Sequence, residues 1–86
     1  MLNIILVKIA WDDLGWLIKN DIKLTKKVHQ IIEATAKNPF EGVGMPEALK
    51  FKYKGYWSRR INLEHRIIYK VENDNLIIIS ILGHYQ

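Results

Sequence analysis

Cysteine is absent from the 86 residues of this chain, which rules out disulfide staples, a thiol nucleophile and thiolate metal ligands. The absence also fits a reducing cytosol. Histidine occurs only at positions 29, 65 and 84, without the spacing of a zinc site, and none of the five glycines lies in a phosphate-binding loop. Neither a metal nor an organic cofactor is therefore expected. Proline is scarce too, with two in the chain, and there is no repeat and no linker-like stretch. One domain over residues 1–86 is the expectation, since a chain of this size buries only about 60% of its unfolded surface and cannot divide that between two cores. Long hydrophobic runs are also missing. Residues 1–7 are apolar, but no basic segment precedes them and Lys8, Asp12 and Asp13 cut them short. Neither a signal peptide nor a membrane span is expected, and the expected location is the cytoplasm.

What the chain has in excess is positive charge. The formal net charge is +4, and the surplus falls in the second half, where Lys50, Lys52, Lys54, Arg59, Arg60, Arg66 and Lys70 crowd together. Such crowding is the footprint of a polyanion-binding face, although lysine-rich surfaces also serve solubility alone.

Residues 2–7 are rich in β-branched side chains and read as a strand. Over 9–19, Ala10, Leu14, Leu17 and Ile18 recur at helical spacing; Gly15 weakens this helix by about 1 kcal/mol relative to alanine. Asn20 and Asp21 offer a cap for a second helix, whose stripe of Leu24, Val28, Ile31, Ile32 and Thr35 runs until Asn38 and Pro39 stop it. Its other face, with Lys23, Lys26, Lys27, His29 and Lys37, reads as solvated, and no chemical role falls to His29. Residues 39–50 carry two glycines and a second proline and read as a loop. Phe51–Tyr53, 56–63, Arg66–Glu72 and 76–82 then read as four β segments, with turn composition at Lys54-Gly55 and at Asn73 to Asn75. The order β-α-α-β-β-β(β) predicts an α+β fold: a twisted, mainly antiparallel sheet with the two helices packed on one face and the other face open.

On such a sheet every second residue is presented to the same side. In 56–63, Trp57 and Ile61 share a side with Arg59, whereas Tyr56 and Ser58 share one with Arg60; next, Arg66 goes with Ile68 and Lys70, opposite Ile67, Tyr69 and Val71. Scission of RNA without a metal needs a base for the 2′-hydroxyl proton, cations for the phosphorane and an acid for the leaving 5′-oxygen. The sequence holds a candidate for each. Glu47 is a carboxylate on a loop beside basic residues, Lys50, Arg60 and Arg66 are cations, and His84 titrates near neutrality. Tyr85 can stack on a base or orient a phosphate, and Gly83 before it lets the backbone pass close to a ligand. Singly, none of these is specific, for a terminal histidine is commonly surface and Glu47 can simply begin a turn. Trp11, Trp16, Tyr56 and Trp57 are stacking platforms or core, and in so small a protein most large aromatics are expected in the core.

Taken together the motifs are diagnostic. The segment NPFEGVGMPEALK at 38–50, followed by GYWSRRINLEHRIIY at 55–69 and a terminal GHY at 83–85, closely resembles the YoeB/Txe toxins of the RelE superfamily, with Trp11, Asp12 and Asp13 adding to the likeness. The resemblance spans nearly the whole chain. It implies a RelE-like fold and a ribosome-dependent mRNA interferase that acts in the decoding A site, inhibits translation and leaves a 2′,3′-cyclic phosphate and a 5′-hydroxyl. By matched position it makes Glu47 the general base, His84 the general acid and Arg66 the phosphate stabiliser, with Lys50, Arg60 and Tyr85 in supporting positions. It further implies a cognate YefM-like antitoxin, a toxin homodimer, and binding of operator DNA only through the antitoxin. Ala48 stands where the family often has proline, and Gln86 extends past the usual terminal tyrosine. The competing expectations are a catalytically inactive RNA-binding or co-repressor module, against which the presence of Glu47, Arg66 and His84 argues, and a nuclease that relies on clustered cations without a carboxylate base.

Overall fold

The computed structural model describes residues 1–83, so His84 and Tyr85 lie outside the described residues. Strand β1 (Asn3–Leu6) leads into helices α1 (Lys8–Asn20) and α2 (Ile22–Lys37), and four strands follow: β2 (Glu47–Ala48), β3 (Trp57–Arg60), β4 (Arg66–Glu72) and β5 (Asn75–Ser80). They form one sheet in the order β1-β5-β4-β3-β2. Only the β1–β5 pair is parallel; the other three are antiparallel. Among the described residues no helix is long and apolar enough to cross a membrane.

The helices form where the apolar periodicity predicts them. Asp21 caps α2 by accepting the Leu24 amide at 3.0 Å, which satisfies one of the donors a helix start leaves open. The stripe Val28, Ile31, Ile32, Thr35 and Ala36 is buried. With Ala10 and Leu17 of α1 it packs on Ile67, Tyr69, Leu76 and Ile78 of the sheet, so both helices cover one face. The turn into β5 places Asn73 at φ 57°, a conformation asparagine accepts more readily than most residues.

Two expectations fail. Phe51–Tyr53 is a single 3-10 turn, not a strand, with Phe51 at φ 57° and 91% exposed. The strand lies four residues earlier, at Glu47–Ala48, inside what reads as a loop. The cause is nonlocal pairing: Ala48 registers with Trp57 and the Leu49 amide bonds the Tyr56 carbonyl at 2.9 Å, so residues 50–55 become the loop of the β2–β3 hairpin. Aromatic alternation in this loop imitates a strand that has no partner to pair with. Trp11 and Trp16 also depart from the expected core, being 62% and 55% exposed. They flank the buried stripe of Ala10, Asp13 and Leu17, Trp11 directly after Ala10 and Trp16 directly before Leu17, each about 100° round the helix from that neighbour.

Asp13 is the charged member of that buried face, at 5% exposure. Its Oδ2 accepts the amides of Ile81 and Leu82 at 2.9 and 3.1 Å, tying α1 to the point where the chain leaves β5. Replacing it with alanine strands one buried and one part-buried donor, so Asp13→Ala is expected to lower stability by on the order of 3 kcal/mol. Asp13→Asn, which keeps an acceptor oxygen, should lose less. Thermal unfolding followed by circular dichroism reads both, with a drop of about 4–8 °C per kcal/mol expected for a domain of this size; equal melting temperatures for wild type and Asp13→Ala would contradict the assignment.

Candidate active site

Residues directly opposed in an antiparallel ladder share a face of the sheet. Arg59 opposes Ile67, Trp57 opposes Tyr69 and Tyr69 opposes Ile78, which places these on the helix side. The intervening residues therefore face the other way. Across that second face runs one row, Glu47 opposite Ser58, Ser58 opposite Ile68 and Ile68 opposite Ser80. Arg60 and Arg66 oppose one another two residues further along. Glu47 and Arg60 are exposed, Arg66 is half-buried, and Ser58, Ile68 and Ser80 form a buried floor between them.

The two arginines sit on either side of a turn that the sequence builds locally. Asn62 Oδ1 accepts the amides of Glu64 and His65 at 2.9 and 2.7 Å, and the Ile61 amide bonds the His65 carbonyl at 2.9 Å. This tight return delivers Arg60 and Arg66 face to face, with Cα atoms roughly 5 Å apart as in any directly opposed pair. Like charges so placed repel and destabilise a hairpin. Among the described residues neither guanidinium has an ion-pair partner, and neither has Glu47. A pair of opposed, unneutralised arginines is a site for a divalent oxyanion such as a phosphodiester in its transition state. Glu47 lies one strand over and two residues back from Arg60, at a Cα separation of roughly 8 Å from the strand spacing and rise.

Lys50 is exposed just beyond β2, where it starts the 3-10 turn. The chain runs past Ser80 in the direction of Arg66, because β5 is antiparallel to β4 and Ser80 opposes Ile68. Gly83, at φ +71°, is the last described residue on that path; the expected acid His84 and stacking residue Tyr85 follow it, outside the described residues. The structure thus brings Glu47, Arg60 and Arg66 onto one face.

Two of the seven cations that crowd the sequence do not contribute to an open basic surface. Arg59 is fully buried beneath the helix side. Lys70 pairs with Glu72 at 3.1 Å and sits 5.4 Å from the Tyr56 ring centroid; the hydrogen bond and charge of Glu72 push its pKa up. Burial likewise raises the Tyr69 hydroxyl above its usual pKa, with the positive charge of Arg59 opposing. The burial of Arg59 and Asp13 escapes a reading based on charge, but their positions carry the signal: Arg59 alternates with Trp57 and Ile61, and Asp13 falls between Ala10 and Leu17 on the apolar stripe of α1.

A family model for the YoeB-like toxin of bacterial type II toxin-antitoxin systems matches residues 7–85. The chain belongs to the YoeB family. Toxin YoeB of Synechocystis sp. is 46% identical over 85 residues, spanning 99% of each chain. The solved heterotetrameric YoeB-YefM toxin-antitoxin complex from Staphylococcus aureus contains a chain 40% identical to this one, with a TM-score of 0.88 over 99% of both chains. A YoeB dimer from the same organism matches with 40% identity and a TM-score of 0.88, covering 98% of each chain. The α+β architecture, with two helices on one face of a five-stranded sheet, is that of these YoeB toxins.

Proposed function

We propose that this YoeB-family chain is an endoribonuclease that cleaves messenger RNA in the ribosomal A site and so halts translation. The observation that carries the reading is the shared sheet face of Glu47, Arg60 and Arg66, with the two arginines opposed and without acidic partners among the described residues. Glu47 takes the proton of the 2′-hydroxyl, whose oxygen attacks the adjacent phosphorus. Arg66, supported by Arg60 and Lys50, holds the phosphorane charge. His84 returns a proton to the departing 5′-oxygen as its bond to phosphorus breaks, leaving a 2′,3′-cyclic phosphate and a 5′-hydroxyl. Tyr85 stacks on or orients the nucleotide at the cut.

The same reading extends to partners. A YefM-like antitoxin, acidic and folding on contact, suits the basic surface that carries Lys50, Arg60 and Arg66; the solved Staphylococcus aureus complex pairs a YoeB chain with YefM. Operator DNA is then contacted through the antitoxin, and a homodimer parallels the solved YoeB dimer. The chain acts as one unit over residues 1–86 in the cytoplasm, where its ribosomal target lies.

Inducing this chain alone in a bacterium should stop growth and protein synthesis, and co-expressing the cognate antitoxin should restore both. Pulse-labelling of new protein together with growth curves measures this. Undiminished labelling with abundant soluble toxin would instead favour the inactive-module reading.

A further inference from the structure

Strand β2, which carries Glu47, is an edge strand of only two residues, joined to β3 by two register pairs. So short a ladder places a side chain poorly by itself. What reaches the strand from outside is the segment 38–46, and that segment is held from below by groups with no place in the chemistry proposed above.

Arg59 is the centre of this support. Its side chain is fully buried, and Nη2 donates to the carbonyls of Asn38 at 2.8 Å and Glu41 at 2.5 Å. The Tyr69 hydroxyl, on the diagonal position of the neighbouring strand, donates to the carbonyl of Pro39 at 2.5 Å. The Arg60 amide donates to the Gly44 carbonyl at 2.7 Å. A Cβ on Gly44 would stand 2.6 Å from Arg59 Cγ and 2.7 Å from the Arg60 carbonyl oxygen, so this loop lies directly on the arginine stem. Four carbonyls between 38 and 44 are thereby fixed, and Glu47 follows three residues after the last.

The arrangement is unfavourable for stability taken alone. Arg59 Nε and Nη1 are buried without a hydrogen-bond partner among the described residues, and no acidic side chain pairs with the charge there. A buried guanidinium with unused donors is destabilising relative to an apolar side chain of similar volume. What Arg59 does contribute in this setting is the fixed position of the carbonyls it holds.

We propose that Arg59 is a positioning residue for Glu47: by clamping segment 38–44 from the helix side of the sheet it sets where the carboxylate stands relative to Arg60 and Arg66. The inference rests on Glu47 being the general base. It differs from a stabilising role in one measurable respect, since a residue that acts only through Glu47 has nothing left to position once the carboxylate is gone.

The test is a double-mutant cycle on single-turnover mRNA cleavage by the full chain on assembled ribosomes. Arg59→Met keeps the stem and removes the guanidinium; the cleavage rate constant should fall about 10²-fold, the scale for a misplaced reacting group, while half-saturation stays within about threefold. In a Glu47→Gln background the same change should alter the rate by no more than about twofold. Tyr69→Phe, which deletes only the bond to Pro39, should show a smaller loss with the same non-additivity, and it carries the cycle if Arg59→Met does not fold. Losses that multiply in the Glu47→Gln background, or an unaltered rate for the variant that carries the cycle, would overturn the proposal. If Glu47→Gln itself cleaves at the wild-type rate, it is the assignment of the base that fails, irrespective of Arg59.

Discussion

Replacement of Glu47 or of His84 is expected to slow mRNA cleavage roughly 10²- to 10⁴-fold, the usual contribution of a general base or acid, with little change in ribosome binding. Glu47 is exposed on β2 and has no ion-pair partner among the described residues, so its removal leaves no buried charge or donor unsatisfied and a folding defect cannot account for the loss. The two variants separate by their response to the leaving group. A substrate with sulfur in place of the 5′-oxygen departs without a proton, so it should restore the His84 variant and leave the Glu47 variant slow. Single-turnover rates on the two substrates decide this, and equal restoration of both variants would show that the roles of base and acid are misassigned.

Arg66→Ala should lower the chemical rate by about 10²- to 10³-fold, as when a donor to developing charge is removed. The structure makes this effect specific. Arg66 opposes Arg60 directly, so the substitution relieves a like-charge repulsion in the free protein. Stability should therefore hold or rise slightly while activity collapses. Lys52→Ala is the contrasting variant: Lys52 sits in the exposed 3-10 turn with its ammonium 5.4 Å from the Tyr53 ring centroid, and its loss should weaken salt-dependent association with little effect on the rate at saturation. Denaturant titration alongside cleavage rates at two salt concentrations separates these outcomes. A destabilised Arg66→Ala protein, or one whose entire defect disappears at saturating ribosome, would contradict the role of Arg66 at the phosphate.

The parts of this fold that are legible in the sequence are those whose physics is local. Asp21 caps α2 because its carboxylate lies three residues before the Leu24 amide, and that spacing is visible in one dimension. The stripe from Val28 to Ala36 is buried because its period matches the helix turn. Alternation in 56–61 assigns Arg59 and Arg60 to opposite faces of β3, as found. Turn residues between β4 and β5 bring Asn73 to the backbone conformation the return requires. The candidate catalytic residues were also legible, through the motifs that carry the family likeness, although their roles rest on position within those motifs.

Other features depend on which strand finds which partner. Residues 47–48 pair and 51–53 do not, despite the stronger strand composition of the latter, because a ladder needs donors and acceptors from a second strand and only Ala48 and Glu47 meet β3 in register. The exposure of Trp11 and Trp16 follows from which side of α1 meets the sheet, a choice that hydrophobicity alone leaves open. Arg59 is counted as surface charge until the loop from Asn38 to Gly44 is seen folded over it. What the sequence by itself determined was the helices and the alternation of faces, because these follow from contacts within a few residues, together with the inventory of candidate acid, base and cationic side chains, which is composition alone. The tertiary structure alone decided that Glu47, Arg60 and Arg66 share one surface and that Arg59 lies beneath the segment leading to it, because register and burial arise from hydrogen bonds between groups far apart in the chain.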